Sequence, residues 1–235
     1  MMNYESFLEL VKKRRSIRKF KPEPIPDEYV DRIIEAARWA PSGANSQPWE
    51  FIVVKKQELK ESIVRLVEED YALAHRMELT RDSQRRHPAY EKPLDRPLGF
   101  ATAPVYILLC GDTRTKNAYP LSATLQNSES VFKSSLANAF LYMNLAATTL
   151  GLGSQWVSNT ALPFVQCQLK ELLGIPRELE IYDMMAVGYP AGEPRPRPVR
   201  VKQEMVHYDC YDKTKFRTDE EVKDFIATIY RARKS

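Results

Sequence analysis

Apolar residues along the chain recur at two spacings, one typical of amphipathic helices and the other of strands. Tyr4, Phe7, Leu8 and Val11 follow the helical spacing, whereas Trp49–Val54 is a continuous run rich in β-branched and aromatic residues. These patterns predict helices at about 4–14, 26–40, 59–67, 131–150, 164–173 and 222–230, and strands at 49–54, 105–110, 156–157 and 181–187. This order of elements predicts an α+β fold.

Two polar stretches interrupt the pattern. Between residues 70 and 98, charged residues interrupt the apolar spacing. A stretch of that length within a domain is typical of a lid or a binding loop. The stretch 113–127 also has a loop-like composition and is a second candidate for the rim of a site. Because no repeat or boundary divides the chain, we expect one domain over 1–235, with a lid at 70–98 and a C-terminal extension from 209.

The composition is that of an ordinary globular protein, with 43% hydrophobic residues, 28% charged residues and a net charge of +4. Charges interrupt the first residues, and the most apolar stretch, 137–152, contains Asn138 and Asn144, so neither a signal peptide nor a membrane span is expected. The cysteines and histidines lack metal-ligand spacing. We therefore expect a cytoplasmic protein without a metal site or a membrane partner.

Three arginines and a serine lie within five residues at the end of the first predicted helix, namely Arg14, Arg15, Ser16 and Arg18. Guanidinium groups can bind two phosphate oxygens at once, and a serine hydroxyl adds a further donor. The cluster therefore indicates a phosphate site, although such a cluster by itself is more often a solvated basic helix end.

The loop 41–48 contains small and amide-bearing residues between two prolines and leads directly into a predicted strand. Such a loop offers backbone donors and amide side chains to a planar heterocycle, but alone it is equally a well-made turn. Farther along, Arg195, Arg197 and Arg200 follow Gly188-Tyr189-Pro190 and supply a second cationic group. These arginines either complete a phosphate site with the first cluster or form a solvated tail.

Four motifs, at 14–20, 40–49, 139–153 and 186–190, together resemble one family. The combination is similar to the FMN-dependent nitroreductase superfamily over roughly 7–208, with only a loose match in 70–127. There is also some similarity to the iodotyrosine deiodinase branch of that superfamily.

This resemblance implies a nitroreductase-like mixed sheet flanked by helices, in an obligate homodimer that binds FMN between its subunits. On the family pattern, the arginines and Ser16 hold the phosphate and part of the ring. The loop 41–48 covers the isoalloxazine from the other subunit, and the turn 158–160 donates hydrogen bonds near flavin N5. Arg200 or Arg197 completes the phosphate clamp, although the residues that follow depart from the family pattern. The implied cofactor residues are Arg14, Arg15, Ser16, Arg18, Pro41, Ser42, Gly43, Asn45, Ser158, Asn159, Thr160, Arg197 and Arg200.

The implied activity is reduction of FMN by NADH or NADPH, followed by reduction of a small organic acceptor of the nitroaromatic, quinone or enone type. Because the reductant leaves before the acceptor enters, the resemblance implies ping-pong kinetics. Flavin N5 carries this chemistry and no catalytic side chain is required, which agrees with the lack of a Ser-His-Asp or Cys-His motif in the chain.

Three other functions stay open on the sequence. The deiodinase branch grips an amino-acid substrate with an acid, a tyrosine and a lysine; the substrate candidates here are Ala44, Glu69 and Leu73, and Leu73 stands where the tyrosine would be. A branch that cleaves its own reduced flavin to a benzimidazole shares the opening motifs. A basic-armed nucleic-acid-binding protein would be colourless, but aromatic residues are not interleaved with the basic patches, so no nucleic-acid partner is expected.

Overall fold

Four antiparallel strands form the sheet in the computed structural model of the chain. The structure describes residues 3–87, 90, 92–94, 97–194 and 199–234, except for the side chains of 84 and 230–234. The chain divides into two units, Met1–Glu193 and Pro194–Ser235, and the sheet belongs to the first. The strands are β1 (Trp49–Val54), β2 (Val105–Asp112), β3 (Gly153–Val157) and β4 (Leu179–Gly188).

The strand order is β1-β2-β4-β3, and each neighbouring pair of these strands is antiparallel. The α+β class is confirmed, but the expected mixed sheet is wrong for these four strands. A parallel bridge joins Ser16, which lies outside the four strands, to Ser154 of β3. Strand β2 is buried along nearly its whole length, a pattern that parallel strands usually show. Here helices cover both faces of an antiparallel sheet, so burial does not reveal strand direction.

Two layers of helices cover the sheet. The helices of the first unit are α1 (Tyr4–Lys13), α2 (Asp27–Arg38), α3 (Gln57–Leu79), α4 (Leu121–Gln126), α5 (Ser128–Thr149) and α6 (Pro163–Leu173), and the second unit contains α7 (Asp219–Lys234). Helices α2 and α5 bury Ile33 and Phe140 against one face, and α3 and α6 bury Ile63 and Leu169 against the other. In the described part of the chain, no helix combines the length and the apolar character needed to cross a membrane.

Helix α3 is longer than the apolar pattern predicts. The charged stretch begins at Asp70, yet the helix continues to Leu79. Asp70 is itself buried, on the same side as Ile63 and Val67, so a polar residue on the inner face interrupts the pattern without ending the helix. The expected lid therefore begins inside α3. In the same way, the stretch 113–127, expected to be a loop, contains the short helix α4.

The second unit has an aromatic cluster and a helix of its own. His207 stacks on Tyr211 with ring centroids 4.2 Å apart. Helix α7 is preceded by a reciprocal cap, in which Glu221 N donates to the Thr218 hydroxyl and Thr218 N donates to the Glu221 carboxylate. This unit begins at Pro194, ahead of residue 209, where the sequence pattern puts the extension. The single-domain organisation stays a prediction.

Candidate functional site

The arginine segment, residues 14–19, is held along the edge strand β3 by its backbone. Ile17 N donates to Ser154 O at 2.9 Å, and the Ile17 side chain is buried against Gly153. A Cβ at Gly153 would lie 2.6 Å from Ile17, so glycine permits this close approach. Ser16 and Arg18, on either side of Ile17, are exposed, as the alternation of an extended chain requires. The segment therefore presents its polar groups outward.

Backbone hydrogen bonds also join this segment to a motif far away in sequence. Lys21 N donates to Tyr189 O at 2.9 Å, and Ala191 N donates to Lys19 O at 3.0 Å. The Gly-Tyr-Pro motif at the end of β4 therefore lies directly beside the arginine segment, and two of the motifs that carry the family resemblance form one structural feature.

Strand β3 runs directly into the short turn Ser158–Ala161. The Thr160 hydroxyl is buried and donates to Val157 O at 2.9 Å, whereas Ser158 is exposed. Asn159 Nδ2 donates to the carboxylate of Asp70 on α3 at 3.2 Å. The arginine segment, β3 and this turn are thus continuous, and we call them together the β3 edge.

The proline loop, residues 41–48, has an unusual backbone. Ala44, Asn45 and Gln47 have φ values of 50°, 50° and 43°, all in the left-handed region. Non-glycine residues adopt this region at a cost in free energy, so surrounding contacts must hold them there. One such contact is within the loop, where Gln47 N donates to the Ser42 hydroxyl at 3.0 Å.

Helix α5 supplies the other contacts that hold the proline loop. Gly43 N donates to Ser135 Oγ at 3.1 Å, and Asn138 Nδ2 donates to Pro41 O at 3.1 Å. A Cβ at Gly43 would lie only 2.1 Å from Val131 Cγ1, so the loop can approach α5 this closely only with glycine. A cleft of about 340 Å³ opens between the loop and the helix, with Ser42, Ser134 and Asn138 in its lining.

None of the described residues that line this cleft belongs to the β3 edge. The family pattern assigns the proline loop to the cofactor of the partner subunit. The exchange between subunits stays a prediction.

The remaining predicted site residues lie in three places. Ala44 is exposed in the proline loop, and Glu69 and Leu73 are exposed one turn apart on α3. Arg200 is half-buried in the second unit, whereas Arg197 lies outside the described residues. The roles of these two arginines in a phosphate clamp therefore stay predictions.

Gln155 is a candidate site residue that no motif in the sequence indicates. Its Oε1 atom is buried, and within the described part of the chain it has no hydrogen-bond partner. A Cβ at Gly99 would lie 3.3 Å from this oxygen and 2.9 Å from Arg18 O, so Gln155 and Arg18 share one neighbourhood. An unpaired buried acceptor is unfavourable, and an N–H of a bound heterocycle would satisfy it. A single glutamine in a short strand has no sequence signal that could have singled it out.

A buried carboxyl lies beside the β3 edge on the neighbouring strand. Asp183 in β4 is 7% exposed and accepts a hydrogen bond from the Trp156 indole N–H. Burial raises the pKa of Asp183 to about 6, and the bond from Trp156 opposes part of that rise. Phe140 and Tyr182 pack near Trp156. An acid inside the apolar run of β4 is the signal that could have identified this residue.

Comparisons with known proteins agree with these features. The chain matches the model of the Nitroreductase family over residues 11–189. A protein from Archaeoglobus fulgidus, whose name gives it as an NADH dehydrogenase/NAD(P)H nitroreductase, is 28% identical over 189 residues that cover 80% of this chain and 88% of that protein. The iodotyrosine deiodinase of Drosophila melanogaster is 32% identical over 191 residues, which cover 77% of this chain and 61% of the deiodinase.

A solved structure of oxidised iodotyrosine deiodinase, bound to FMN and 3-iodo-L-tyrosine, superimposes with a TM-score of 0.66 and 27% sequence identity. The superposition covers 87% of this chain and 99% of the deiodinase chain. The family match spans more than half of the 235 residues and includes the arginine segment, the proline loop and the first two residues of the Gly-Tyr-Pro motif. The chain therefore belongs to the nitroreductase family.

Proposed function

We propose that the protein is an FMN-dependent oxidoreductase that uses NADH or NADPH to reduce a small organic acceptor of the nitroaromatic, quinone or enone type. The observation that carries the proposal is the β3 edge, where arginines, a serine hydroxyl and a donor-bearing turn follow one edge strand. Membership of the family and the FMN in the similar deiodinase structure support the cofactor. The name of the Archaeoglobus relative supports the nicotinamide reductant.

The residues of the β3 edge fit the chemistry of FMN. Guanidinium groups and the Ser16 hydroxyl suit the phosphate. The unpaired Gln155 oxygen suits the N–H group of the pyrimidine part of the ring. We assign Ser158, Asn159 and Thr160 to the ring near N5, and Arg197 or Arg200 to the phosphate. Pro41, Ser42, Gly43 and Asn45 of a second copy would cover the ring.

When bound, the flavin supplies the redox chemistry by taking up two electrons from the nicotinamide and passing them to the acceptor. The chain itself binds the flavin and orients the nicotinamide and the acceptor beside it. Cations at the arginine segment neutralise the phosphate, and N–H donors at the turn 158–160 stabilise negative charge that develops on the ring. Because reductant and acceptor would use one site in turn, we propose ping-pong kinetics.

The same proposal includes a homodimer and a lid. The family pattern supports two copies, because it assigns the proline loop of one chain to the flavin that the β3 edge of the other chain holds. The cleft beside the proline loop has no described residue of the β3 edge in its lining. The lid would comprise the second half of α3 and the residues up to 98. Glu69 and Leu73 lie on its exposed side, where an acceptor could contact them.

Reductive dehalogenation is the second candidate, and the similarity to deiodinases in sequence and in structure favours it. Glu69 provides the acid of the deiodinase lid, and it is exposed on α3. Leu73, however, offers no hydrogen bond where the resemblance implies a tyrosine. An amino-acid zwitterion would lose that contact, so we rank an uncharged acceptor above a halotyrosine.

The cofactor assignment predicts that the purified protein is yellow, or becomes yellow with added FMN. Absorbance spectra and FMN titrations measure this directly. Riboflavin, which has the same ring without the phosphate, is the matched control and should bind at least tenfold more weakly if arginines hold the phosphate. A colourless protein that takes up no added FMN would contradict the proposal. An acceptor panel of nitroaromatics, quinones, enones and 3-iodotyrosine, tested with the reduced enzyme, would then separate the two candidate activities.

A further inference from the structure

Asp70 is an acid on the buried side of a helix. It follows Ile63 and Val67 at helical spacing and is only 8% exposed, whereas its neighbour Glu69 is exposed. Burying a carboxylate is unfavourable unless hydrogen bonds satisfy it. The described bond to Asp70 comes from Asn159 Nδ2 at 3.2 Å, in the turn that follows β3.

This bond determines how the Asn159 amide is oriented. An ionised carboxylate can only accept hydrogen bonds, so the amide must direct an N–H toward Asp70 and its own oxygen elsewhere. The other bonds described for the turn are local, from the Thr160 hydroxyl to Val157 O and from Leu162 N to Asn159 O. The Asp70 bond ties the turn to a separate helix.

Helix α3 therefore has two sides with different roles. Glu69 and Leu73 lie on its exposed side, which we assign to the acceptor lid, and Asp70 on the inner side holds the turn. We propose that Asp70 is a positioning residue that acts through Asn159 to fix the turn Ser158–Ala161 against the reactive edge of the flavin. This inference rests on the proposed function, because it takes the turn as the part of the chain that meets flavin N5.

Removing this bond is expected to loosen the turn and to leave the phosphate contacts intact. For Asp70→Ala and Asn159→Ala we expect the rate of flavin reduction by NADH or NADPH, measured by stopped flow at saturating nicotinamide, to fall about ten- to hundredfold. The midpoint potential of bound FMN should shift to more negative values, while the Kd for FMN changes less than about threefold. In FMN-free protein, amide hydrogen exchange in 158–162 should become faster.

The double variant D70A/N159A tests whether the two residues act as a pair. If they do, the double variant is no slower than the slower single variant, because the same contact is lost in all three proteins. Asp70→Asn keeps an oxygen acceptor and should recover part of the rate. Glu58→Gln, an exposed acid on the same helix, is the matched control and should leave rate, potential and exchange unchanged.

The outcomes separate this inference from the proposed function. Wild-type protein that binds no FMN overturns both. If wild-type protein binds FMN and reduces acceptors, but Asp70→Ala lowers only the melting temperature, then Asp70 is structural and the positioning role is wrong. Additive losses of rate in the double variant would also overturn it. If Asp70→Ala fails to fold, Asn159→Ala gives the same test, since Asn159 is only half-buried.

Discussion

The arginine segment and the proline loop are both assigned to the flavin, yet they are held in opposite ways. Backbone hydrogen bonds with Ser154 and Ala191, together with the buried Ile17 side chain, hold the arginine segment. Side-chain contacts with α5, a close approach at Gly43 and left-handed residues hold the proline loop. In the segment, the residues assigned to the cofactor are not those that hold the backbone. In the loop they are the same residues.

This difference determines what each region can tolerate. Polar side chains on the outer side of an extended segment can change without disturbing the hydrogen bonds of its backbone. A loop that needs glycine against α5 and left-handed residues beside it has no such freedom, because these features form its shape. We therefore expect substitutions in the loop to affect folding, and substitutions at the exposed positions of the segment to affect cofactor binding more than folding.

The largest effect is expected for Gly43→Ala. The added Cβ would lie 2.1 Å from Val131 Cγ1, far inside van der Waals contact, and the loop or α5 must shift to accommodate it. Overpacking of this kind costs ~1–3 kcal/mol, occasionally more, and the stiff β-branched side chain of Val131 in a helix places this case at the upper end. The free energy of unfolding, measured with urea on FMN-free protein, should fall by about 3 kcal/mol.

Two further variants test the cause of that loss. Val131→Ala removes the clashing methyl group, so G43A/V131A should regain part of the stability relative to G43A. Gly192→Ala adds the same methyl group where, apart from its chain neighbours, no atom of the described residues lies within 4 Å, and should have little effect. If Gly43→Ala were as stable as Gly192→Ala, the loop would be as tolerant as the segment and the contrast between them would fail.

Asp183, on β4 beside the β3 edge, lowers the stability of the folded state when it is ionised. Its pKa in the folded protein is raised to about 6 from an ordinary value of 3.8, so the folded state favours the protonated form. Stability is therefore lost as the pH rises through the range from about 4 to 6, and the loss is complete above the folded pKa. Asp183→Asn removes the charge and keeps an oxygen that accepts from the Trp156 indole.

We expect Asp183→Asn to be more stable than wild-type protein by ~3 kcal/mol at pH 8, because the rise in pKa of about two units corresponds to ~1.4 kcal/mol each. The difference should disappear at pH ~3, below the ordinary pKa of 3.8, where the wild-type carboxyl is mostly protonated in both states. Urea unfolding of both proteins at the two pH values measures it. Asp31→Asn, at an exposed position on α2, is the control. An equal difference at both pH values would show that the charge of Asp183 is not its cause.

Local patterns predicted most of the elements, because apolar spacing and turn residues act over a few positions. The four strands lie where β-rich runs predict them, and α6 ends at Gly174, whose φ is 65°. Strand direction was not accessible in this way, since an antiparallel strand covered on both faces has the same apolar run as a parallel one. The end of α3 was misplaced because Asp70 looks like a surface residue until its partner Asn159 is known.

The candidate site was predictable only in part. The arginines and the loop residues form motifs that are visible along the chain, and the structure joins the arginine segment to the Gly-Tyr-Pro motif. Gln155 and Asp70 became candidates through residues distant in sequence, because Gln155 lies beside Gly99 and Asp70 accepts a hydrogen bond from Asn159. Such contacts depend on the fold and leave no spacing in the sequence.

The smallest effect is expected for Arg18→Ala, which tests whether the arginine segment tolerates the loss of a side chain. A charge-assisted contact contributes ~1.5–3 kcal/mol, so the Kd for FMN, from fluorescence titration, should rise about ten- to hundredfold. The melting temperature of FMN-free protein should stay within about 1 °C, because alanine keeps the Cβ beside Gly99 and Ile17 still holds the backbone. Arg32→Ala, which removes the same charge from an exposed site on α2, should change neither quantity. Unchanged FMN affinity would make Arg18 a surface charge. A large drop in melting temperature would mean instead that the side chains of the segment hold the fold, as those of the loop do.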